Sequence, residues 1–152
     1  MTALEKIREF VGRFPGADIL HQFQVDYIDQ IPANGGVFPS GLTEIDRRQD
    51  IVGNVTVTNQ YNFGLYYAFE KAPADDVGAT ANADWIMDFQ EWAQEQSATG
   101  AAPVFGDVPR EERITAQNGV LLEAVYEGVG IYVVQLSVRF IKKYEVKNKW
   151  LT

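Results

Sequence analysis

A long alternating segment most constrains what this chain can fold into. Between residues 55 and 69, apolar side chains occupy every odd position except Asn59, and the even positions are mostly small or polar. Side chains of a strand point alternately to its two faces, so this period of two predicts a half-buried β-strand. At about 3.3 Å per residue the strand would reach roughly 50 Å, which is long for one strand. We expect Gly64 to introduce a bulge or a bend.

A first amphipathic helix is predicted at the N-terminus. Thr2 and Glu5 have the spacing of a capping box, in which each side chain bonds the other residue's free backbone N–H. Pro15 and Gly16 then end the helix. Its apolar face recurs at steps of three and four residues and consists of Leu4, Ile7, Val11 and Phe14.

A second amphipathic helix is predicted from about Ala83 to Ser97, with Asn82 or Asp84 as its N-cap. We expect residues 72–81, which contain Pro73 and Gly78, to form a polar loop before it. Gly100 is suited to terminate the helix. The apolar stripe of this helix is formed by Trp85, Ile86, Phe89, Trp92 and Ala93.

Shorter strands are predicted on both sides of these elements. Phe23 to Tyr27 alternates apolar and polar residues, and Leu42 to Arg48 has the pattern of a more polar strand. Between them, residues 31–41 are rich in proline and glycine, so we expect a loop or an irregular edge. A turn is predicted over residues 50–54.

The C-terminal third is predicted to be a β-meander that follows a flexible loop at 99–111. Residues 113–117 form one strand, and Asn118-Gly119 is a strong two-residue hairpin signal. Residues 120–126 form the second strand of this hairpin, residues 127–130 form a turn, and the last long strand covers Ile131 to Tyr144. The summed order predicts an α+β fold: an antiparallel β-sheet with two amphipathic helices packed on one face, in one domain over residues 1–152.

Composition excludes several functional classes. The chain has 13 basic and 21 acidic residues and a net charge of −8, which argues against a protein that holds duplex DNA. It has no cysteine, so disulfides and zinc–thiolate sites are impossible. His21 is the single histidine, which leaves little material for a catalytic triad. No stretch is apolar and long enough for a signal peptide or a spanning helix, so we expect a cytoplasmic protein.

Few motifs in the sequence suggest a catalytic or ligand-binding site. Gly128-Val129-Gly130 lacks the third glycine of a dinucleotide fingerprint and precedes a strand, which favours a turn. Asp75-Asp76 supplies too few oxygens for calcium, which favours a solvated loop. The tryptophans of the second helix fit a core better than a ligand pocket. We therefore expect no catalytic residue, no metal site and no cofactor.

The order of motifs resembles the small minor capsid protein family encoded by tailed phages and prophages of Gram-positive bacteria. These are tail-terminator or tail-completion proteins of the head–tail joining region. The similarity spans nearly the whole chain, although each motif is a packing pattern and not a chemical site. It is carried by LEKIREFVGRFP (Leu4–Pro15), VDYI (Val25–Ile28), QYNFGLYYAF (Gln60–Phe69), N-x-x-W-I-x-x-F-x-x-W (Asn82–Trp92), I-T-A-Q-N-G (Ile114–Gly119) and Y-x-V-Q-L-S-V-R-F (Tyr132–Phe140).

The resemblance implies a structural virion protein that is assembled in the host cytoplasm and is not an enzyme. It would form a ring, commonly a hexamer, that caps the tail tube and docks the head connector. Its partners would be further copies of itself, the tail-tube protein and a connector or adaptor protein. DNA would pass through the lumen without specific binding, and a strongly negative ring would repel it. We therefore expect acidic residues at the lumen and basic residues at subunit contacts.

Candidate contacts follow from expected exposure and flexibility. They lie in the two glycine- and proline-containing loops, in the arm that follows Asn118-Gly119, and in a C-terminal lysine cluster. Two alternatives stay open. One is a small-molecule-binding or enzymatic α+β domain with a pocket between helix and sheet. The other is a different virion part, such as a head-completion adaptor or a tail-tube-like protein. The candidate residues are Val37, Phe38, Phe105, Leu121, Leu122, Lys142, Lys143, Lys147 and Lys149.

Overall fold

Seven main elements make up the chain in a computed structural model, which describes residues 1–20, 22–26, 28, 34–70, 76–125 and 128–147. Two short 3₁₀ turns, Pro15–Ile19 and Pro109–Glu111, connect some of these elements. In chain order the elements are α1 (Ala3–Gly12), β1 (Gln22–Val25), β2 (Asn34–Gln49), β3 (Val55–Glu70), α2 (Asp76–Ala98), β4 (Arg113–Val125) and β5 (Val129–Tyr144).

The strands form one sheet in the order β1-β2-β3-β5-β4. Strand β1 pairs with β2 in parallel, and the other three pairings are antiparallel. The alternating segment is β3, as predicted, and it lies at the centre of the sheet between β2 and β5. It pairs with β5 along its whole length, from Val55 opposite Tyr144 to Glu70 opposite Val129. The α+β fold with a mostly antiparallel sheet and two helices is therefore confirmed.

Both helices pack on the same face of the sheet. The odd-numbered side chains of β3 and the even-numbered side chains of β5 form this face, as their cross-strand register requires. One buried cluster joins them to the apolar faces of α1 and α2. Its fully buried large members are Ile7, Phe10, Val37, Leu65, Tyr67, Ile86, Phe89, Val134, Leu136 and Val138.

The predicted helix signals have their expected structural roles. The Thr2 hydroxyl accepts a hydrogen bond from the Glu5 backbone N–H, and the Glu5 carboxylate accepts one from Thr2 N–H, which completes the capping box. In α2, Trp85 donates its indole N–H to the Gly16 carbonyl across the helix pair, at 3.0 Å. Gly100 has a φ of +76°, the left-handed conformation in which glycine terminates helices.

Helix α2 begins earlier than predicted. It starts at Asp76, so the expected loop is wrong over residues 76–81, and neither Asn82 nor Asp84 is the N-cap. The segment lacks proline after Pro73, and each residue added to an existing helix gains a hydrogen bond at small cost. Asn82 instead donates its side-chain amide to the Glu70 carbonyl. Residues 71–75 lie outside the described part of the chain.

The glycine-rich segment, for which the sequence predicts a loop or an irregular edge, is a strand over its described part. Residues 34–41 open β2, where Asn34 to Val37 pair with β1 on one side and with β3 on the other. Pairing on both sides supplies the backbone hydrogen bonds that local propensity does not favour. The irregularity is confined to a register shift between Pro39 and Leu42, where Gly41 has a φ of +85°.

Asn118-Gly119 is a bulge and not a hairpin turn. Strand β4 runs continuously through it, and its register with β5 shifts between Gln117 and Val120. Asn118 has the positive φ of +57° that the hairpin prediction expected, but it is used to bulge one strand. A bulge at Gly64, one of the two predicted possibilities, is also wrong, because pairing with β5 is continuous there. The turn at 50–54 is present, with Gly53 N–H donating to the Asp50 carbonyl.

Predictions that concern His21, Tyr27, residues 31–33, Asp75, residues 126–127 and Lys149 lie outside the described residues.

Candidate interaction surfaces

The face of the sheet opposite the helices is called the open face here. It carries the even-numbered side chains of β3 and the odd-numbered side chains of β5, together with their register partners on β2 and β4. Its middle is polar, and the side chains bond each other across the strands. Ser137 donates to the Asn62 amide oxygen at 2.9 Å, and that oxygen also accepts from Gln60 at 2.8 Å. Asn118 donates to Gln135 at 3.2 Å.

One end of the open face is apolar. A small second cluster there buries Ala68, Val129 and Ile131, with Ile28 and Tyr66 packed against it. The ring of Phe38, one of the predicted contact residues, meets the Tyr66 ring edge-on with centroids 4.8 Å apart. Phe38 therefore lies on the open face and remains half-buried.

Two of the predicted contact residues belong to the core side of the molecule. Val37 is fully buried, so its assignment as a contact residue is corrected: its register partner Leu65 places it on the helix-covered face. Phe105 is half-buried and packs on the core beside Tyr61 and Phe140. The Lys6 ammonium lies over the Phe105 ring, 5.2 Å from its centroid.

Leu121 and Leu122 lie where a contact surface was expected. They are 40% and 55% exposed, and the preceding Val120 is 52% exposed. These three residues, the β4 apolar segment, form a continuous exposed stretch on an edge strand of the sheet. Consecutive exposed apolar residues on a sheet edge are typical of a surface that another chain covers.

The lysine cluster divides between the two sides of the sheet. Lys142 points to the helix-covered side and lies 3.7 Å from the Asp107 carboxylate. Lys143 is exposed on the open face, opposite Thr56. Lys147 is exposed beyond the end of β5, and Lys149 lies outside the described residues. The three described lysines therefore do not form one surface.

The loop at 99–111 is already tied to the body of the protein. The Glu112 carboxylate accepts from the backbone N–H groups of Phe105 and Gly106, at 2.7 and 2.9 Å. Asp107 N–H donates to the Ile141 carbonyl at 2.8 Å, and the Val104 carbonyl accepts from the Lys6 ammonium. These bonds hold the loop, which the sequence predicts to be flexible, against the body of the protein.

Sequence reasoning missed an exposed tip on the β2–β3 hairpin. Ile51 is fully exposed at the turn, and Val52 is 61% exposed beside it. Strand β1 covers β2 only as far as Val37, so residues 40–49 form an exposed outer edge. Two ion pairs, Glu44 with Arg47 and Asp46 with Arg48, lie along this edge. Because the start of β2 is rich in proline and glycine, its full length was not predicted from the sequence.

Sequence reasoning also missed a pair of arginines on the open face. Arg113 of β4 and Arg139 of β5 are direct cross-strand partners, and Gln60 of β3 continues the same row. These side chains border a shallow cleft of about 330 Å³ that is otherwise lined by Thr115, Gln117 and Ser137. The signal was available, because polar residues at 135, 137 and 139 alternate with the core residues of β5.

Large aromatic side chains pack between the helices and the sheet in the described part of the chain. Tyr67, Phe10 and Phe89 are fully buried there, and burial raises the pKa of the Tyr67 hydroxyl. A second cleft, of about 600 Å³, opens at the sheet edge between α2 and the start of β4, and its lining includes Gln90, Gln94 and Arg110. Within the described ranges, no group of three or more His, Asp or Glu side chains is arranged to hold a metal ion.

No helix in the described residues is long and apolar enough to cross a membrane. No protein-family model matches the chain, and a search of curated proteins finds no match.

Proposed function

We propose that this chain is a structural subunit of a tailed phage particle, a tail terminator or head–tail joining protein. Copies form a ring that caps the tail tube and docks the neck, and the protein resides in the virion after assembly in the host cytoplasm. The role is geometric and requires no catalysis. Further copies, the tail-tube protein and a connector or adaptor are its partners, and DNA passes through the lumen without specific binding.

One observation carries the proposal. The two central strands are each 16 residues long, yet both helices cover the same side of them. Among the described residues, the polar middle of the open face, the outer edge of β2 and the β4 apolar segment therefore have no element packed over them. A chain whose longest elements leave this much ordered strand surface free is suited to pairing with neighbouring subunits. The similarity of motif order to the minor capsid family supports the same role.

Capping of tail tubes tests the proposal. The full chain is mixed with the tail-tube protein of the same genome and viewed by negative-stain electron microscopy. Without the tail-tube protein, we expect the chain to form closed rings. In the mixture, we expect tubes that carry one ring at an end and stop growing when the chain is added. Tubes made of this chain would instead indicate a tail-tube protein. A monomer that binds no tube end would contradict the proposal.

The β4 apolar segment supplies a variant for this assay. Leu122→Asp places a charge on the proposed contact edge, and we expect it to reduce capping while leaving the circular dichroism spectrum unchanged. Val77→Asp is the matched control, because Val77 is 83% exposed at the start of α2 and does not belong to the β4 apolar segment. Equal loss of capping in both variants would show that the segment has no special part in docking.

The alternative is a small-molecule-binding or enzymatic domain. The cleft of about 600 Å³ between α2 and β4 favours it, because its size and its mixture of glutamine and arginine side chains fit a polar ligand. Replacement of Gln94 by Leu would then abolish ligand-induced thermal stabilisation. The same replacement would leave tube capping unaffected if the terminator proposal holds.

A further inference from the structure

Three cations lie on the open face, on the neighbouring strands β4 and β5. Arg113 and Arg139 lie directly opposite each other on neighbouring strands, and Lys143 lies on the same face four residues along β5. Among the described residues, the ion pairs involve Arg47, Arg48 and Lys142, and none involves these three. We call Arg113, Arg139 and Lys143 the cationic patch.

This arrangement costs stability within the monomer. Like charges directly opposite on adjacent strands repel each other. The chain has 21 acidic residues against 13 basic ones, so carboxylates for pairing are abundant elsewhere. The hydrogen bond that Arg139 donates to the Gln60 amide oxygen is long, at 3.4 Å. Two guanidiniums beside a cleft lined with hydroxyl and amide groups form a surface suited to carboxylate oxygens, which arginine binds in bidentate geometry.

The matching anions lie on α2. Four carboxylates recur at steps of four, three and four residues, which places them on one stripe of the helix. All four are exposed, and no described cation pairs with them. The stripe points away from the sheet, because the opposite side of α2 carries Ile86, Phe89 and Ala93 into the core. We call these four residues the acidic stripe: Asp84, Asp88, Glu91 and Glu95.

The two surfaces have similar lengths. From Asp84 to Glu95 the acidic stripe extends about 16 Å, at 1.5 Å per helical residue. From Arg139 to Lys143 the cationic patch extends about 13 Å, at 3.3 Å per strand residue, and Arg113 widens it by one strand. An acidic stripe can therefore lie along a cationic patch with several charge pairs formed at once.

We propose that a second copy of this chain docks its acidic stripe on the cationic patch. The two surfaces lie on opposite sides of the sheet, so each copy uses one to bind the copy before it and the other to bind the copy after it. Such head-to-tail contacts close into a ring or continue as a filament. The inference deepens the proposed function, on which it rests for ring closure, by naming the contact between neighbouring subunits.

Charge reversal tests the contact. One variant carries Arg113→Glu with Arg139→Glu, and the other carries Asp88→Arg with Glu91→Arg. Each variant alone brings like charges together, so we expect self-association at least about a hundredfold weaker than in the wild type. Mixed together, the two variants have complementary surfaces at both junctions. We expect the mixture to regain association in alternating order, measured by analytical ultracentrifugation of the full chain.

Matched controls carry the same charge changes elsewhere. Arg110→Glu with Lys147→Glu reverses two exposed cations outside the patch, and Glu111→Arg with Glu145→Arg reverses two exposed anions outside the stripe. We expect both controls to associate like the wild type. Wild-type association should also weaken between about 0.01 M and about 1 M salt, where the screening length falls from about 30 Å to about 3 Å.

Several outcomes would overturn the inference. These are a wild type that stays monomeric at low salt, reversal variants that associate normally, or a mixture that does not recover. Loss of binding to a fluorescent 30-base-pair DNA duplex, with self-association unchanged, would assign the patch to nucleic acid instead. The proposed function fails separately. If the charge-reversal variants still form rings that cap tubes, this contact is refuted and the terminator role is not. If the wild type forms filaments that the charge reversals disrupt, but never caps a tube, the terminator role is refuted and this contact is not.

Discussion

The two faces of the sheet differ in the side chains that they carry and in what those side chains contact. On the helix-covered face, aromatic and aliphatic side chains of β3 and β5 are buried by α1 and α2. On the open face, the same two strands carry amides and hydroxyls that bond each other, and basic side chains that form no ion pair with any described residue. Every second residue of a strand therefore serves folding, and the residues between them are free to serve contacts.

This difference shows where the stability of the protein resides. Burial of apolar area is the dominant favourable term in folding, and it is concentrated on the helix-covered face. Cross-strand polar pairs on an exposed face contribute far less. Substitutions on the two faces should therefore have separable effects, with stability lost on one and association lost on the other.

The largest expected effect is on the helix-covered face. Phe89 is fully buried between α2 and the sheet and packs beside Phe14 and Trp92. We expect Phe89→Ala to lower the free energy of unfolding by about 3–5 kcal/mol, measured by urea denaturation. Gln117→Ala on the open face is the control and should stay within about 0.5 kcal/mol of the wild type. Similar losses in both variants would contradict the division between the faces.

A smaller effect is expected where the β4 bulge approaches α2. A Cβ atom on Gly119 would lie 2.4 Å from Ile86 Cγ2 and 2.6 Å from Gln90 Oε1. We expect Gly119→Ala to destabilise the protein by about 1–3 kcal/mol, because the helix must shift. Gly12→Ala is the matched control, since nothing lies within 4 Å of its added methyl group. A thermal melt in which Gly119→Ala is as stable as Gly12→Ala would show that the bulge does not contact the helix.

The smallest expected effect has the opposite sign and lies on the open face. Arg113→Thr removes one of two facing like charges, so we expect the free energy of unfolding to rise by about 0.2–0.5 kcal/mol. The gain should be present at low salt, disappear at high salt, and be measured at low protein concentration so that association does not contribute. Lys147→Thr, which removes an exposed cation beyond the sheet, should show no gain. Destabilisation by Arg113→Thr would mean that its charge is balanced within the monomer.

Local signals predicted much of the fold. The capping box of α1, the apolar stripe of α2 and the alternation of β3 are each contained in one stretch of sequence, and each is present in the structure. The errors fall where the outcome depends on distant partners. Residues 34–41 form a strand because β1 and β3 pair with them, and Asn118-Gly119 bulges because β4 continues along β5.

The contact surfaces were less accessible from the sequence. Leu121 and Leu122 are exposed as expected, whereas Val37 is buried, because the side of a strand on which a residue lies depends on register. The juxtaposition of the two arginines was not predicted for the same reason. Arg113 and Arg139 are 26 positions apart, and only the pairing of β4 with β5 brings them opposite each other.

The sequence by itself determined the elements, the α+β class and the division of β3 into an apolar and a polar side, because periodicity and capping act within a few residues. Tertiary structure alone decided that both helices cover one face and that unpaired cations gather on the other. It also decided that an acidic stripe faces away from them on the far side of the sheet. Strand order and register set these placements, and both arise from contacts between residues that are distant along the chain.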